Sequence, residues 1–400
     1  MPTKRPEGIP AASAPLSRRQ ALRLGAGLGL AVPLAAAWAG PAAAAGSLRL
    51  AAAWQQEDGT YRIGVLQARP GQDAPLRAMH TLDIPTRAHG LCPLPDGSIV
   101  AASRRPGDWL VRWWPGTPRE PVWQWTDGTR SFNGHVIASP DGRLLYTTET
   151  DADTGQSLVV QRSAERLEAV SEWPTQGIDA HELLWDRHTL ADGAPTLIVA
   201  NGGVPTAPET GRVKRALETM DSSVVRLHGR TGGVLGQWRL GDRRLSLRHL
   251  AWSADGRVLG VALQAEHDGQ QDREAAPVLA LFDGKALRAA APVPAQGPGG
   301  PQGGLQGGLR GYGGSIAATP EGWAVSCPRA QGIATFSPQG DWQRLVALPE
   351  VCALAVNGTA LWAAGLDHTL ENARGAAPQP HLHRSGLAKA RVDNHWYVTG

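Results

Sequence analysis

The chain of 400 residues holds only three cysteines, so no disulfide framework can carry its fold. No Cys-x-x-Cys-His run is present, which excludes covalent c-type haem. A Gly-rich phosphate loop and a Gly-x-Ser-x-Gly elbow are also missing, so neither route to catalysis applies. Charged residues make up 19% of the chain, and no basic stripe with interleaved aromatics supports nucleic-acid binding. Convincing amphipathic helices are absent. Instead, 49 Gly and 31 Pro supply a fifth of the residues, which argues against a helical bundle. The 42% that is hydrophobic suffices for a large core and excludes wholesale disorder.

Residues Ser17-Arg18-Arg19-Gln20-Ala21-Leu22-Arg23 resemble the twin-arginine export motif, with Ala21 for the usual Phe and Arg23 for the usual Lys. The apolar stretch from Leu24 to Ala37 is too short for a hydrocarbon layer of about 30 Å. Ala43-Ala44-Ala45 offers an A-x-A cleavage site before Gly46. Residues 1–45 therefore read as a twin-arginine signal peptide, with an uncleaved anchor as the alternative, and residues 46–400 as a protein of the periplasm. The leader holds Lys4, Arg5, Arg18, Arg19 and Arg23 against Glu7, so the formal charge of +3 becomes −1 without it. No later segment is long and apolar enough to cross a membrane.

What the chain does have is internal repetition. A short apolar strand, a turn and a second apolar strand run from His89 to Ala101, with Asp96-Gly97 at the turn. The pattern returns from His135 with Asp141-Gly142, and from His249 with Asp255-Gly256. Weaker copies begin at Ser315 and Cys352, and a looser one at His181. Asp-Gly and Asn-Gly supply the positive φ that tight hairpins need. A unit of about 40–50 residues with four short strands is the period of a β-propeller blade. The expectation is an all-β, seven-bladed propeller closed by the C-terminal strand around Asn394-His395-Trp396. Most tryptophans, such as Trp109, Trp113, Trp123 and Trp125, are expected to pack between blades.

In such a ring the residue opening each inner strand sits near one mouth of the channel. That slot reads His395, His89, His135, His181, His249, Ser315 and Cys352. Convergent imidazoles, with Cys352 as a further candidate, can ligate Fe, Cu, Zn or haem. The bland alternative is histidine bonded to backbone of the neighbouring blade. The second strand returns to the same face, where Arg104, Arg105, Glu149, Asp151, Asn201, Gln264, Cys327 and Arg329 are expected to line a ligand site. Glu182 or Glu149 is the candidate general base. Residues 202–222 read as a lid, with Arg212 and Lys214 available to an anion or to neighbouring acids, and 289–311 as a flexible Gly/Pro/Gln insert. A Cys327–Cys352 disulfide is conceivable, with Cys92 buried and inert.

Several stretches together resemble one family, the exported proteins grouped as domain of unknown function 1513. They are Phe132-Asn133-Gly134-His135, Leu145 to Asp151, His181-Glu182-Leu183, Val199 to Gly203, Thr210-Gly211-Arg212, Thr219-Met220, Ser246 to Ala251 and Asp393-Asn394-His395. The Gly-rich insert and Cys327 depart from the family pattern. The resemblance implies a twin-arginine-exported seven-bladed propeller akin to YVTN and quinoprotein-like propellers. It also implies partners among periplasmic iron-uptake components. The leading expectation is a monomeric periplasmic protein that binds a metal or metal complex at the histidine-lined mouth, in an accessory role in iron acquisition. A metal-dependent oxidoreductase or lactonase-like hydrolase, and a protein-interaction platform, are the alternatives.

Overall fold

The computed structural model describes residues 48–68, 76–205, 216–291, 293, 308–365, 368–372, 381–384, 387 and 390–399. The expected leader lies outside them, as do Arg212, Lys214 and most of the expected flexible insert. Where the insert's end is described, Leu309 is buried among Val278, Leu279 and Trp323.

The hairpins form as their Asp-Gly turns dictate. Gly97 has a φ of +80°, and the same region is taken by Gly142, Gly256 and Gly358. In the first turn the Leu94 N–H donates to the Ser98 carbonyl at 2.8 Å. Asp96 Oδ1 accepts both the Ser98 N–H and its hydroxyl. Such turns link antiparallel strands into all-β sheets.

Among the described residues there are six hydrogen-bonded sheets, five of four strands and one of eight, which corrects the expected count of seven blades. The strand Arg391–Thr399 pairs antiparallel with Leu48–Gln55, which closes the ring. It also makes one parallel bridge, Leu354↔His395, to the strand Ala353–Asn357. That bridge fuses into one sheet what the repeat pattern treats as two blades. Inner strands crowd together at the ring's centre, and here two come near enough to share a ladder bond.

The inner strands pack in sequence. Ala88–Pro93 lies on Arg130–Ala138, which lies on Ala180–Trp185, followed by Leu245–Trp252, Ser315–Thr319, Ala353–Asn357 and Arg391–Thr399. The last of these returns to Ala88–Pro93. Apolar side chains fill the space between sheets; Trp109, fully buried, packs edge-on against Trp123 and donates its indole N–H to Thr86 Oγ1 at 2.7 Å. Burying a ring of that size contributes roughly 3 kcal/mol. Trp125 departs from expectation: 50% exposed, it stacks on the outside of Trp123. No helix among the described residues is long and apolar enough to cross a membrane.

Candidate functional site

Each of the five expected histidines sits where its inner strand slips register. Pairing jumps from Ala88↔Ser103 to Leu91↔Ala101 around His89, and from Phe132↔Glu149 to Val136↔Thr147 around His135. It jumps from Ala180↔Asn201 to Leu183↔Val199 at His181, and from Leu247↔Leu263 to Leu250↔Val261 at His249. Opposite Ala52 and Trp54, the segment from Val392 to Trp396 does the same around His395. In every case the inner strand carries extra residues, which is a β-bulge. A bulge bends the strand and re-aims a side chain. The inner strands without a histidine, Ser315–Thr319 and Ala353–Asn357, keep an unbroken register.

The rings so turned come together. His89 lies 4.8 Å centroid to centroid from both His135 and His395, and His249 lies 4.4 Å from His395 and 4.7 Å from His181. One nitrogen from each of His89, His135, His249 and His395 falls within 4.8 Å of the others. His249 Nε2 stands 3.0 Å from both His181 Nε2 and His395 Nε2. A ring nitrogen carries either one proton or one lone pair, so it cannot make two good hydrogen bonds to nitrogens at once. Among the described residues, both nitrogens of His89, Nε2 of His135 and Nδ1 of His181 and His249 have no hydrogen-bond partner. At these five nitrogens the rings make no bond to backbone of a neighbouring blade.

Burial disfavours the imidazolium form of all five, and in four of them nearby histidines add to the effect. His89 is pushed down to about 4, and His135, His181, His249 and His395 lie well below the ordinary histidine value. The rings are neutral at physiological pH and hold their lone pairs ready. Carboxylates stand behind two of them. Asp393 Oδ1 is 3.5 Å from His89 Nδ1, and the carboxylate is held from its other side by Arg87 in a two-point ion pair. Burial opposes the charge of Asp393, but His89 and Arg87 keep it below the usual carboxylate range. Glu182 Oε1 is 3.7 Å from His135 Nδ1, while Oε2 accepts the Leu250 N–H at 2.6 Å. Burial pushes Glu182 up to about 8.

Close backbone approach makes room for the cluster. Gly134 has a φ of +103°, and a Cβ there would stand 2.9 Å from the His89 ring. A Cβ on Gly90 would in turn stand 2.5 Å from the Gly134 carbonyl oxygen. Beside the rings is a cavity of about 30 Å3 lined by His89, His181, His249, Arg104, Arg105 and Arg248. Asn133, Gln264, Tyr312 and Asn394 complete it. Asn133 is fixed by donating to the Ala180 carbonyl and accepting the Thr150 hydroxyl. Gln264 donates to the Gly313 carbonyl at 3.1 Å.

Other expected site residues lie elsewhere. Glu149 is not at the mouth: it is buried in an ion pair with Arg162, Oε1 lying 2.7 Å from Nη2, and accepts the Thr147 hydroxyl. Asn201 is fully buried, its amide donating to the Thr175 carbonyl and Ser223 Oγ, where it ties a loop down. Asp151 lies at a sheet end, 3.6 Å from Arg130. Arg329 stacks on the Tyr312 ring at 4.3 Å, behind the cavity wall. Cys352 is outside the cluster because its strand has no bulge, and burial pushes its thiol up to about 11, away from thiolate. Cys327 and Cys352 are both free, with Cys327 packed in an apolar core.

Sequence reasoning missed Asp393, Arg248 and Asp179. Asp393 lies two residues before His395 and Arg248 directly before His249, a signal the sequence did hold. Asp179 binds Arg248 Nη1 at 2.8 Å and pairs with Arg105.

Among solved structures, a periplasmic gluconolactonase of Pseudomonas aeruginosa is 15% identical, with a TM-score of 0.54 over 87% of this chain and 99% of that one. A chain of a mitotic checkpoint complex is 14% identical, with a TM-score of 0.52 over 80% of this chain and 84% of the other. At such identity these likenesses show the fold alone. In sequence, no curated protein matches. Residues 82–399, which contain all five histidines and Asp393, match one family model: the chain belongs to the proteins of unknown function DUF1513.

Proposed function

We propose that this protein binds one transition-metal ion through its histidine cluster, as an exported periplasmic propeller with an accessory role in metal acquisition. The observation that carries the reading is the set of neutral ring nitrogens that face one another without other partners. A bound ion would accept their lone pairs and remove the conflict at His249. Metal–nitrogen bonds of about 2.0–2.1 Å call for separations of up to about 4 Å, so the 4.8 Å spread closes with small ring movements. An all-imidazole set suits Zn, Cu, Ni or ferrous iron better than ferric iron, which prefers oxygen donors. Asp393 and Glu182 stand where partners that orient ligating histidines stand. A cavity of about 30 Å3 beside the rings suits an ion with one or two small ligands.

Elemental analysis of protein purified from the periplasm tests it. Close to one metal per chain is expected, with loss on His135→Ala, His181→Ala and His249→Ala. Trace metal that those substitutions leave unchanged overturns the reading, and recovery only from the cytosol overturns its export.

Glu182 favours a second reading, metal-assisted hydrolysis. Buried beside His135 and pushed up to about 8, it is largely protonated at neutral pH. The charge of a bound ion would favour its carboxylate, which could then accept a proton from metal-bound water. Glu182→Gln would then abolish turnover of a lactone substrate while metal content stays intact.

A further inference from the structure

Resting on the metal reading above, we propose that the cavity beside the histidines binds a small planar oxyanion, of carboxylate or carbonate size, which completes the metal's coordination and balances its charge.

Three observations lead there. The first is charge. Arg104, Arg105 and Arg248 line the cavity, Asp179 is shared by Arg105 and Arg248, and Glu266 acts on Arg248. Asp393 is already matched by Arg87. Neutral imidazoles cancel none of an ion's charge, so a divalent metal would bring an excess of two positive charges beside three guanidinium groups. In a water-poor interior that excess is costly unless an anion enters with the metal.

The second is an unmet donor. Arg248 is only 2% exposed, and its Nη1 is bonded to Asp179. Its Nε has no partner among the described residues. A buried N–H left unpaired is destabilising, and a guanidinium's fork suits two oxygens in a plane.

The third is size and position. About 30 Å3 holds roughly two waters, or one oxyanion of a few heavy atoms. His89, His181 and His249 line the same cavity, so an anion held by the arginines there would lie beside the rings.

The test uses the full chain loaded with Co2+, whose visible bands report coordination, titrated with sodium formate at fixed ionic strength. A saturable change in the bands is expected. Formate affinity should fall about ten-fold or more in both Arg104→Gln and Arg248→Met, the worth of one charge-assisted hydrogen bond. Arg104 is half-buried, so its substitution keeps the test open should the Arg248 variant misfold. Bands that ignore formate while Co2+ loads overturn the anion site and leave the metal site standing. Equal formate affinity in wild type and Arg104→Gln does the same. Failure of Co2+ to bind overturns both.

Discussion

Replacing His249 with alanine should change the sign of its effect with metal. In the metal-free protein His249 holds two neutral nitrogens at 3.0 Å from its own, of which at most one can be a good hydrogen bond. Its Nδ1 is buried without a partner. Removing the ring therefore relieves crowding and an unmet polar atom, against the cost of the space it leaves. The two terms are of similar size, about 1–3 kcal/mol each. The chelator-treated variant should melt within a few degrees of wild type, or above it. With metal the balance reverses. An ion at 100 times its Kd stabilises wild type by about 2.7 kcal/mol, or roughly 4 °C for a domain of this length. The variant should lose most of that shift. Paired melts in chelator and in Zn2+, followed by calorimetry, provide the readout. The reasoning is refuted if His249→Ala melts far below wild type in chelator and wild type gains nothing from metal. That result would make the ring a packing element.

Other consequences can be checked separately. Gly134→Ala places a Cβ against the His89 ring at a φ of +103° and should cost about 1–3 kcal/mol in a urea titration, with weakened metal binding. Asp393→Asn leaves Arg87 unmatched and His89 without its carboxylate, so metal affinity should fall about 10–100-fold by competition with a chelating dye. Burial opposes the ionisation of Asp96, but hydrogen bonds from Ser98 and Trp114 and the charge of Arg112 hold it at about 2. Its contribution is present above the unfolded value near 3.9 and is lost as pH falls from there through about 2. Asp96→Asn should accordingly cost about 1 kcal/mol or less at pH 7, since the group is partly exposed, and nothing below pH ~2 in acid melts. Burial pushes the thiols of Cys92 and Cys327 up to about 12, so the native protein should resist iodoacetamide until unfolded. Rapid modification of either, or a Cys327–Cys352 crosslink by mass spectrometry, would contradict the packing.

The repeated strand–turn–strand units and the shared slot of His89, His135, His181, His249 and His395 are legible in the sequence because turns and spacing are local properties. The bulges are not. They exist only relative to a partner strand, and no residue announces that Ala88 pairs with Ser103 while Leu91 pairs with Ala101. Glu149 shows the cost of that blindness. Being off by one position along a strand exchanges its two faces. An acid read as facing the mouth turns out to share a buried face with Thr147 and Arg162. Cys352 fails for a related reason: it occupies the slot but lacks the bulge that would turn its side chain inward. Joining of two expected blades by the Leu354↔His395 bridge depends on the spacing of inner strands at the centre, which composition does not encode.

The strand that closes the ring also brings His395 to the cluster, and Asp393 to His89. Closure and site assembly are thus a single event. A ring still open has at most four of the five imidazoles in place and nothing to orient His89. On the metal reading, capture follows closure, and a captured ion would in turn latch the two ends of the propeller together. Release of the ion would then be governed by how often this one seam opens, which makes the seam a timing element as well as a fastening.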